Sequence, residues 1–250
     1  MLPGWSALSA RVGNRLVRHL RTVPFRLRNK TPMVSFTFDD VPKSAATVGA
    51  PLLEEYDARG TFYIAGDLVD KWSGNWIGLS ADEIVGLHRR GHEIACHTFS
   101  HLRVIDLDAA EMTAEIEKSR QYFSAIDPSI KIENFAYPYG AGAVSHKRRL
   151  GKAFRSSRGI VPGVNSGTVD LQYLRAVPLM EADIDRDGVD RAFDEAVAKN
   201  GWLIFYSHDV ADAPSPYGCS PSFLRHALDE ASRRHMPILS VADALRSASG

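Results

Sequence analysis

Cysteine is almost missing from this chain: two residues in 250, Cys96 and Cys219. Two thiols cannot build a disulfide framework, which sets aside the small stapled scaffolds and points to a reducing compartment. Net charge is also missing, since 30 basic residues balance 30 acidic ones. Without an overall positive field there is no electrostatic case for nucleic acid as a partner. No uninterrupted apolar run approaches the ~20 residues that span a bilayer. The start of the chain lacks the apolar core of a signal peptide, because arginines interrupt it throughout. The expected location is therefore cytoplasmic. No Gly-x-Gly-x-x-Gly follows a strand-like run and no P-loop occurs, so a dinucleotide-binding reading fails early.

What remains is an ordinary globular composition, 44% hydrophobic and 24% charged. The length suits one large domain, and a single α/β barrel reaches this size. The charge is unevenly placed. Residues 1–31 carry Arg11, Arg15, Arg18, Arg21, Arg26, Arg28 and Lys30 and no acid, a charge of +7. Trp5, Leu8, Val12, Leu16 and Leu20 recur at spacings of 3 and 4, one apolar face of a helix. Such a helix either packs on the core or anchors peripherally on an anionic membrane surface. The first is favoured, because any surface helix shows one apolar stripe. The expected division is a basic amphipathic extension over 1–31 and one folded domain over 32–250.

Short apolar, β-branched and aromatic runs alternate with helical patterns along that domain. Strands are expected at Met33–Phe38, Thr61–Ala65, His92–Cys96, Asn134–Tyr137, Arg155–Gly159, Leu174–Val177 and Trp202–Tyr206, with a short last one at Pro237–Leu239. Helices are expected over Ala45–Arg59, from a capping box at Ser80 and Glu83 to Arg90, over 108–125, His146–Phe154, Asp187–Lys199 and Pro221–Arg234. Alternation of this kind implies a parallel sheet buried on both faces. Seven or so such units without a linker fit an α/β barrel better than two domains, with an open doubly wound sheet as the alternative. In a barrel, residues at the C-terminal ends of strands build the site. Asp39 and Asp40, His97, Tyr139 and His208 all fall at that pole.

His97 and His101 are four residues apart, which on a helix puts both imidazoles on one face and within reach of one ion. Asp40 can supply a third ligand, and a His₂–carboxylate set leaves positions open for water and substrate. Were both aspartates ligands, nothing would remain to take a proton from the water, so Asp39 is read as the general base. His208, after the apolar run Leu203–Ser207, is the natural general acid opposite such a site. Asp209 either orients it or caps the following loop. Cys96 points away from the site if His97 points into it. Trp72 and Trp76, in the loop 66–79, either line a cleft or form a packed lid. His88, His92, His146, His226 and His235 are read as structural or exposed.

The ordered set Phe36-Thr37-Phe38-Asp39-Asp40, His97-Thr98-x-x-His101, Tyr137-Pro138-Tyr139-Gly140 and Tyr206-Ser207-His208-Asp209 resembles the polysaccharide deacetylase family, the NodB-homology proteins of carbohydrate esterase family 4. The likeness covers about residues 33–245. It implies a distorted seven-stranded (β/α) barrel and a divalent metal, zinc first, with cobalt, nickel or manganese as alternatives. It implies a base at Asp39, ligands Asp40, His97 and His101, an acid at His208, and an oxyanion contact from the backbone N–H of Tyr139 in the Pro138–Tyr139 turn. The implied activity is removal of an N-acyl group from an amino sugar in a glycan, a glycolipid or a nucleotide-sugar precursor. Deformylation or cyclic-amide hydrolysis of a small substrate is the second enzymatic reading, and a carbohydrate-binding protein with a vestigial site is the third. Two departures stand out. Val41 replaces the family's usual Gly before Pro42. The arginine that usually precedes the third motif's Pro-Tyr and orients the base is missing from Phe135-Ala136-Tyr137. Arg175 is the expected replacement, and Asp170 the candidate acid that tunes His208.

Overall fold

The structure, a computed structural model, describes residue 17 and residues 20–250. Most of the expected N-terminal helix therefore lies outside the described residues. The strands are β1 (Pro24–Arg26), β2 (Met33–Asp39), β3 (Thr61–Ile64), β4 (Glu93–Cys96), β5 (Asn134–Ala136), β6 (Ser156–Arg158), β7 (Thr168–Asp170), β8 (Val177–Pro178) and β9 (Trp202–Ser207). Seven of them form one parallel sheet in the order β6-β5-β4-β3-β2-β9-β8. Its two edges are brought together by the segment leading into β8. Arg158 on β6 bridges Leu174, and the Gly159 N–H donates to the Leu174 carbonyl at 2.9 Å. The sheet is thus curled into the distorted seven-stranded (β/α) barrel expected from the sequence. β1 and β7 form a separate antiparallel pair beside it.

The helices are α1 (Ala50–Glu54), α2 (Ala81–Arg89), α3 (Ala109–Ile126), α4 (Val144–Ala153), α5 (Arg186–Ala198), α6 (Pro221–Arg233) and α7 (Val241–Ala248). The capping box at the start of α2 is present: Ser80 Oγ accepts from the Glu83 N–H at 3.2 Å, and Glu83 Oε2 accepts from the Ser80 N–H at 2.9 Å. The first helix is shorter than its pattern predicts. Residues 45–49 form a wide π-turn before α1, and Asp57 is left-handed at φ 52°. Pro51 sits at the start of α1 and has no N–H to offer the carbonyl of Thr47, so a regular α-ladder cannot run through this stretch.

Strand alternation explains the two sides of the sheet. Val34, Phe36 and Phe38 of β2 and Leu203 and Phe205 of β9 face outward, into the core shared with the helices. Met33, Trp202, Ile204 and Tyr206 face inward, where α7 closes the lower pole with Val241, Ala244, Leu245 and Ala248. The interior is unusually polar. Trp202 Nε1 donates to Ser35 Oγ at 2.9 Å, Ser156 Oγ to Asn134 Oδ1 at 2.8 Å, and Thr61 Oγ1 to Glu93 Oε2 at 2.8 Å. Glu93 also accepts from Asn134 and from the Ala242 N–H of α7. Burial pushes its carboxyl above the usual range against these hydrogen bonds. Higher up, the interior is narrowed by Tyr63 and kept open by two small residues, Ala95 and Ala136. Ala136 lies in register with Arg158 on the next strand.

The space left by Ala136 is filled by its neighbours' large side chains, so a bigger residue there has nowhere to go. Ala136→Leu is expected to lower stability by about 1–3 kcal/mol, read as a shifted midpoint with unchanged slope in urea unfolding.

Candidate functional site

The backbone at the upper pole is bent in a way that sorts neighbouring side chains. Asp40 (φ 58°), Val41 (φ 54°), Thr98 (φ 58°), His101 (φ 54°) and Tyr139 (φ 58°) are all left-handed. They make five of the nine non-glycine residues with positive φ among the described residues, and all five lie on three strand-end loops. Strain of this kind persists only where the surroundings enforce it. After Asp39 ends β2, the turn at Asp40 and Val41 rotates the second carboxylate away from the first. The two aspartates then meet different partners.

Asp39 is buried and meets Arg158. One guanidinium nitrogen, Nη2, lies 2.5 Å from both carboxylate oxygens. Arg158 is fully buried, and its Nη1 donates to the Gly159 carbonyl at 3.0 Å. Its Cζ stands 5.0 Å from the Tyr63 ring centroid and 5.2 Å from that of Tyr206. Two aromatic faces and a carboxylate thus hold a cation that burial alone would make very costly.

The expected arginine is therefore supplied, but not by Arg175. Arg175 is exposed, donates to the Pro162 carbonyl at 2.9 Å and lines a different cleft. Arg158 is the residue that sequence reasoning missed. It closes a short strand whose other members are serines, at the same pole as the aspartates, and that position was the available signal.

Asp40 meets two histidines. Its Oδ1 is 2.9 Å from His101 Nε2 and 3.4 Å from His97 Nε2. Despite these distances Oδ1 has no hydrogen-bond partner. The histidines' other nitrogens have partners of their own. His97 Nδ1 lies 2.9 Å from the Ala136 carbonyl, which can only accept, so Nδ1 donates there and Nε2 is the nitrogen that faces the carboxylate. His101 Nδ1 is engaged by Tyr139 Oη at 3.1 Å. One oxygen of Asp40 and one ring nitrogen of each histidine thus face a common point, all within 4.8 Å of one another. Burial would raise the Asp40 carboxyl, but the His101 and His97 imidazoles outweigh it and hold it well below the usual carboxylate range. This donor set fits a divalent cation of the kind that accepts two imidazoles and a carboxylate.

The two histidines do not come together on a helix, as their spacing suggested. Residues 97–101 form a loop, and left-handed Thr98 and His101 bring the rings to 5.2 Å between centroids. Glu115 of α3 holds that loop by accepting from the Phe99 and Ser100 N–H groups at 3.0 and 2.7 Å. Cys96 is buried in the outer core, as expected.

His208 closes the far side. Its Nε2 is 4.0 Å from Asp40 Oδ2, and its Nδ1 is 3.0 Å from the Tyr217 carbonyl, which leaves Nε2 to face the cleft. Trp76 lies over its ring at 5.5 Å, with Tyr217 beside both. Asp209 does not orient it. Its carboxylate accepts from Ser215 N at 2.8 Å and from Ser215 Oγ at 2.5 Å and so caps the following loop. Asp170 is remote from His208 in its bonding: it pairs with Lys147 at 2.8 Å and accepts from the N–H groups of Thr22, Val23 and Gln172. Asp39, Asp40, His97, His101, Tyr139 and His208 all border one cleft of about 570 Å³. Trp76 lines it too, while Trp72 is exposed outside it.

Fold and site together define a parallel β/α barrel with a candidate His₂–carboxylate metal centre at its C-terminal pole. Residues 26–153 match the family model described as polysaccharide deacetylase, and the chain belongs to that family. Among characterised relatives, the chain is 26% identical over 85 residues to a bifunctional xylanase/deacetylase of Pseudobutyrivibrio xylanivorans, a stretch covering 34% of this chain and 13% of the relative. It is 25% identical over 95 residues to a chitin deacetylase of Colletotrichum lindemuthianum, covering 38% of this chain and 37% of the relative. The matched stretches thus span well under half of either relative. The solved structure of the chitin deacetylase from Colletotrichum lindemuthianum superposes with a TM-score of 0.64 at 16% identity, over 88% of this chain and 89% of the other. That likeness is one of fold.

Because Arg158 and Asp39 are buried as a pair, removing one strands the other. Arg158→Met should cost about 3–5 kcal/mol, and adding Asp39→Asn should recover much of it, since a neutral pair leaves no buried charge. A double-mutant cycle in urea checks this; additive losses would refute the coupling.

Proposed function

We propose that this chain is a metal-dependent hydrolase that removes a small N-acyl group from an amino sugar carried in a glycan or in a lipid- or nucleotide-linked precursor. The observation that carries the reading is the division of labour at the end of β2. Asp40 and two histidines converge on a point without bonding one another, while Asp39, one residue earlier, is held apart by a buried cation. Family membership and the shared barrel support it.

Asp40, His97 and His101 would hold the metal, with zinc the first choice for this donor set. Such an ion, when bound, polarises an amide carbonyl and makes water acidic enough to attack near neutral pH. The remaining chemistry belongs to the chain. Asp39 accepts the proton of the attacking water, and Arg158 holds it in one orientation by contacting both of its oxygens. Tyr139, second in the one-turn segment Pro138–Gly140, has a backbone N–H with no acceptor inside that turn, and that N–H donates to the developing oxyanion. His208 follows β9, the strand paired beside β2, and its Nε2 lies 4.0 Å from Asp40 Oδ2. With Nδ1 engaged by the Tyr217 carbonyl, its Nε2 is the nitrogen that delivers a proton to the departing amine.

Acetate release from N-acetylated chito-oligosaccharides and from lipid- and nucleotide-linked N-acetyl sugars tests the proposal. Activity is expected to vanish with chelator and return with Zn²⁺ or Co²⁺. Asp39→Asn should lower kcat about 10²–10⁴-fold with metal content unchanged. A folded, metal-loaded protein that hydrolyses none of these amides would refute it.

A further inference from the structure

The charge of this chain lies in blocks, and two basic ones meet. Residues 1–31 carry +7 and no acid. Residues 134–169 also hold no acid, and carry Lys147, Arg148, Arg149, Lys152, Arg155 and Arg158. The chain as a whole is neutral, so its acids are concentrated elsewhere. The fold lays the first block against the second. Lys147 Nζ of α4 donates to the Leu20 carbonyl at 2.7 Å. The Thr22 and Val23 N–H groups donate to Asp170, and β1 pairs with β7. The Val23 side chain lies over Gly151, one helical turn beyond Lys147. Farther back, Val17 is buried in the main core. The basic N-terminal segment is thus moored along α4, with its bases beside those of the helix.

Acids near this junction are already matched. Asp170 holds Lys147, Glu133 holds Arg155 at 3.2 Å and Glu195 holds Lys199 at 2.5 Å, while Arg158 is spent inside on Asp39. Arg21, Arg148 and Lys152 are exposed and form no ion pair with any described residue. Arg148 and Lys152 are four residues apart on α4 and share one face of it. Arg21 borders an open cleft of about 510 Å³ together with Arg175, which also meets no acid. Unmatched cations gathered on one side of a neutral protein make a local positive potential, which suits an anionic surface. Leu20 stands among them, 47% exposed. It is the last of the apolar residues Trp5, Leu8, Val12, Leu16 and Leu20 that recur at spacings of 3 and 4. Bases interleaved with regularly spaced apolar side chains fit a bilayer interface, where headgroups meet the bases and acyl chains the apolar groups. A nucleic acid or a soluble polyanion would use the bases alone. We propose that α4 and the N-terminal segment form one docking surface for an anionic phospholipid bilayer. This docking is independent of the chemistry in the cleft of Asp39 and Asp40.

Flotation of the full chain with vesicles tests this. Vesicles of phosphatidylcholine alone are compared with vesicles that also hold about 30% phosphatidylglycerol. Binding is expected to the second kind only, and it should weaken as salt rises from about 0.1 M to about 0.5 M. Arg148→Gln combined with Lys152→Gln should weaken it about 10–30-fold, near 5-fold per cation removed, with the unfolding midpoint unchanged. Arg191→Gln combined with Arg225→Gln removes two exposed cations from α5 and α6 instead, and should change binding by less than about 2-fold. Leu20→Asn should weaken binding to the vesicles and leave binding to inorganic polyphosphate unchanged. No binding to the anionic vesicles, or equal binding to both kinds, overturns the proposal. So does an equal loss in the two double variants, which would reduce the effect to net charge. If polyphosphate binds as tightly as the vesicles at equal phosphate and Leu20→Asn changes neither, the face belongs to a soluble polyanion and the bilayer assignment falls.

Discussion

The buried contact between Arg158 and Asp39 is the constraint around which the upper half of this barrel is arranged. Neither group tolerates the interior alone, since an unpaired buried charge costs several kcal/mol. Bringing them together takes most of the inner wall. Arg158 starts on β6 and must cross the lumen to the end of β2, four strands away in the sheet order. The path is clear because β4 and β5 contribute alanines, Ala95 and Ala136, at that level. The guanidinium is then steadied on two sides by Tyr63 from β3 and Tyr206 from β9. Asp39 is engaged in this way, and the neighbouring carboxylate meets the histidines.

The second half of the site follows from backbone geometry. Asp40 could not serve a different partner from Asp39 if the chain continued as a strand, because it would project into the outer core. Two consecutive left-handed residues, Asp40 and Val41, turn it back over the barrel mouth. The bend is held by Leu79, whose N–H donates to the Val41 carbonyl at 3.2 Å, and by the pairing of Pro42 with Gly78. Opposite, the loop between His97 and His101 is fastened to α3 by Glu115, and Tyr139 is set by the turn after β5. Three loops from three strands are each strained locally and each anchored to a helix, a strand edge or another loop. That is how a rigid scaffold gathers side chains from three separate loops at one point of the barrel mouth.

The sequence was most legible where function is local. An apolar run followed by a charged pair, or by a histidine, shows that a polar group stands at a strand end. The parallel barrel then puts every such end at one pole, so Asp39, Asp40, His97, Tyr139 and His208 could be gathered without coordinates. The capping box of α2 and the outward burial of Cys96 are local facts of the same sort. What could not be read was register across strands. Phe135-Ala136-Tyr137 holds no arginine, but Ala136 pairs with Arg158 on the adjacent strand. The cation is at the expected height in the barrel, one strand over. It is remote from the motif along the chain, and Arg175, on its own strand-like stretch, faces another cleft. The histidine pair misled in the opposite way. A spacing of four suggested a helix, but a loop with two left-handed residues brings the rings to the same separation, and spacing alone cannot tell the two apart.

The orientation of each imidazole follows from the acceptor that stands behind it. Backbone carbonyls cannot donate, so the Ala136 and Tyr217 carbonyls each accept from the Nδ1 that faces them. His97 and His208 thereby both turn Nε2 toward the cleft, but to different ends. For His97, Nε2 faces Asp40 Oδ1 at 3.4 Å, inside the candidate ligand cluster. For His208, Nε2 faces open cleft, 4.0 Å from the second oxygen of that same carboxylate and flanked by Trp76 and Tyr217. One carboxylate thus stands between the paired histidines and the lone one, and the backbone carbonyls behind the rings keep the two sets of nitrogens apart.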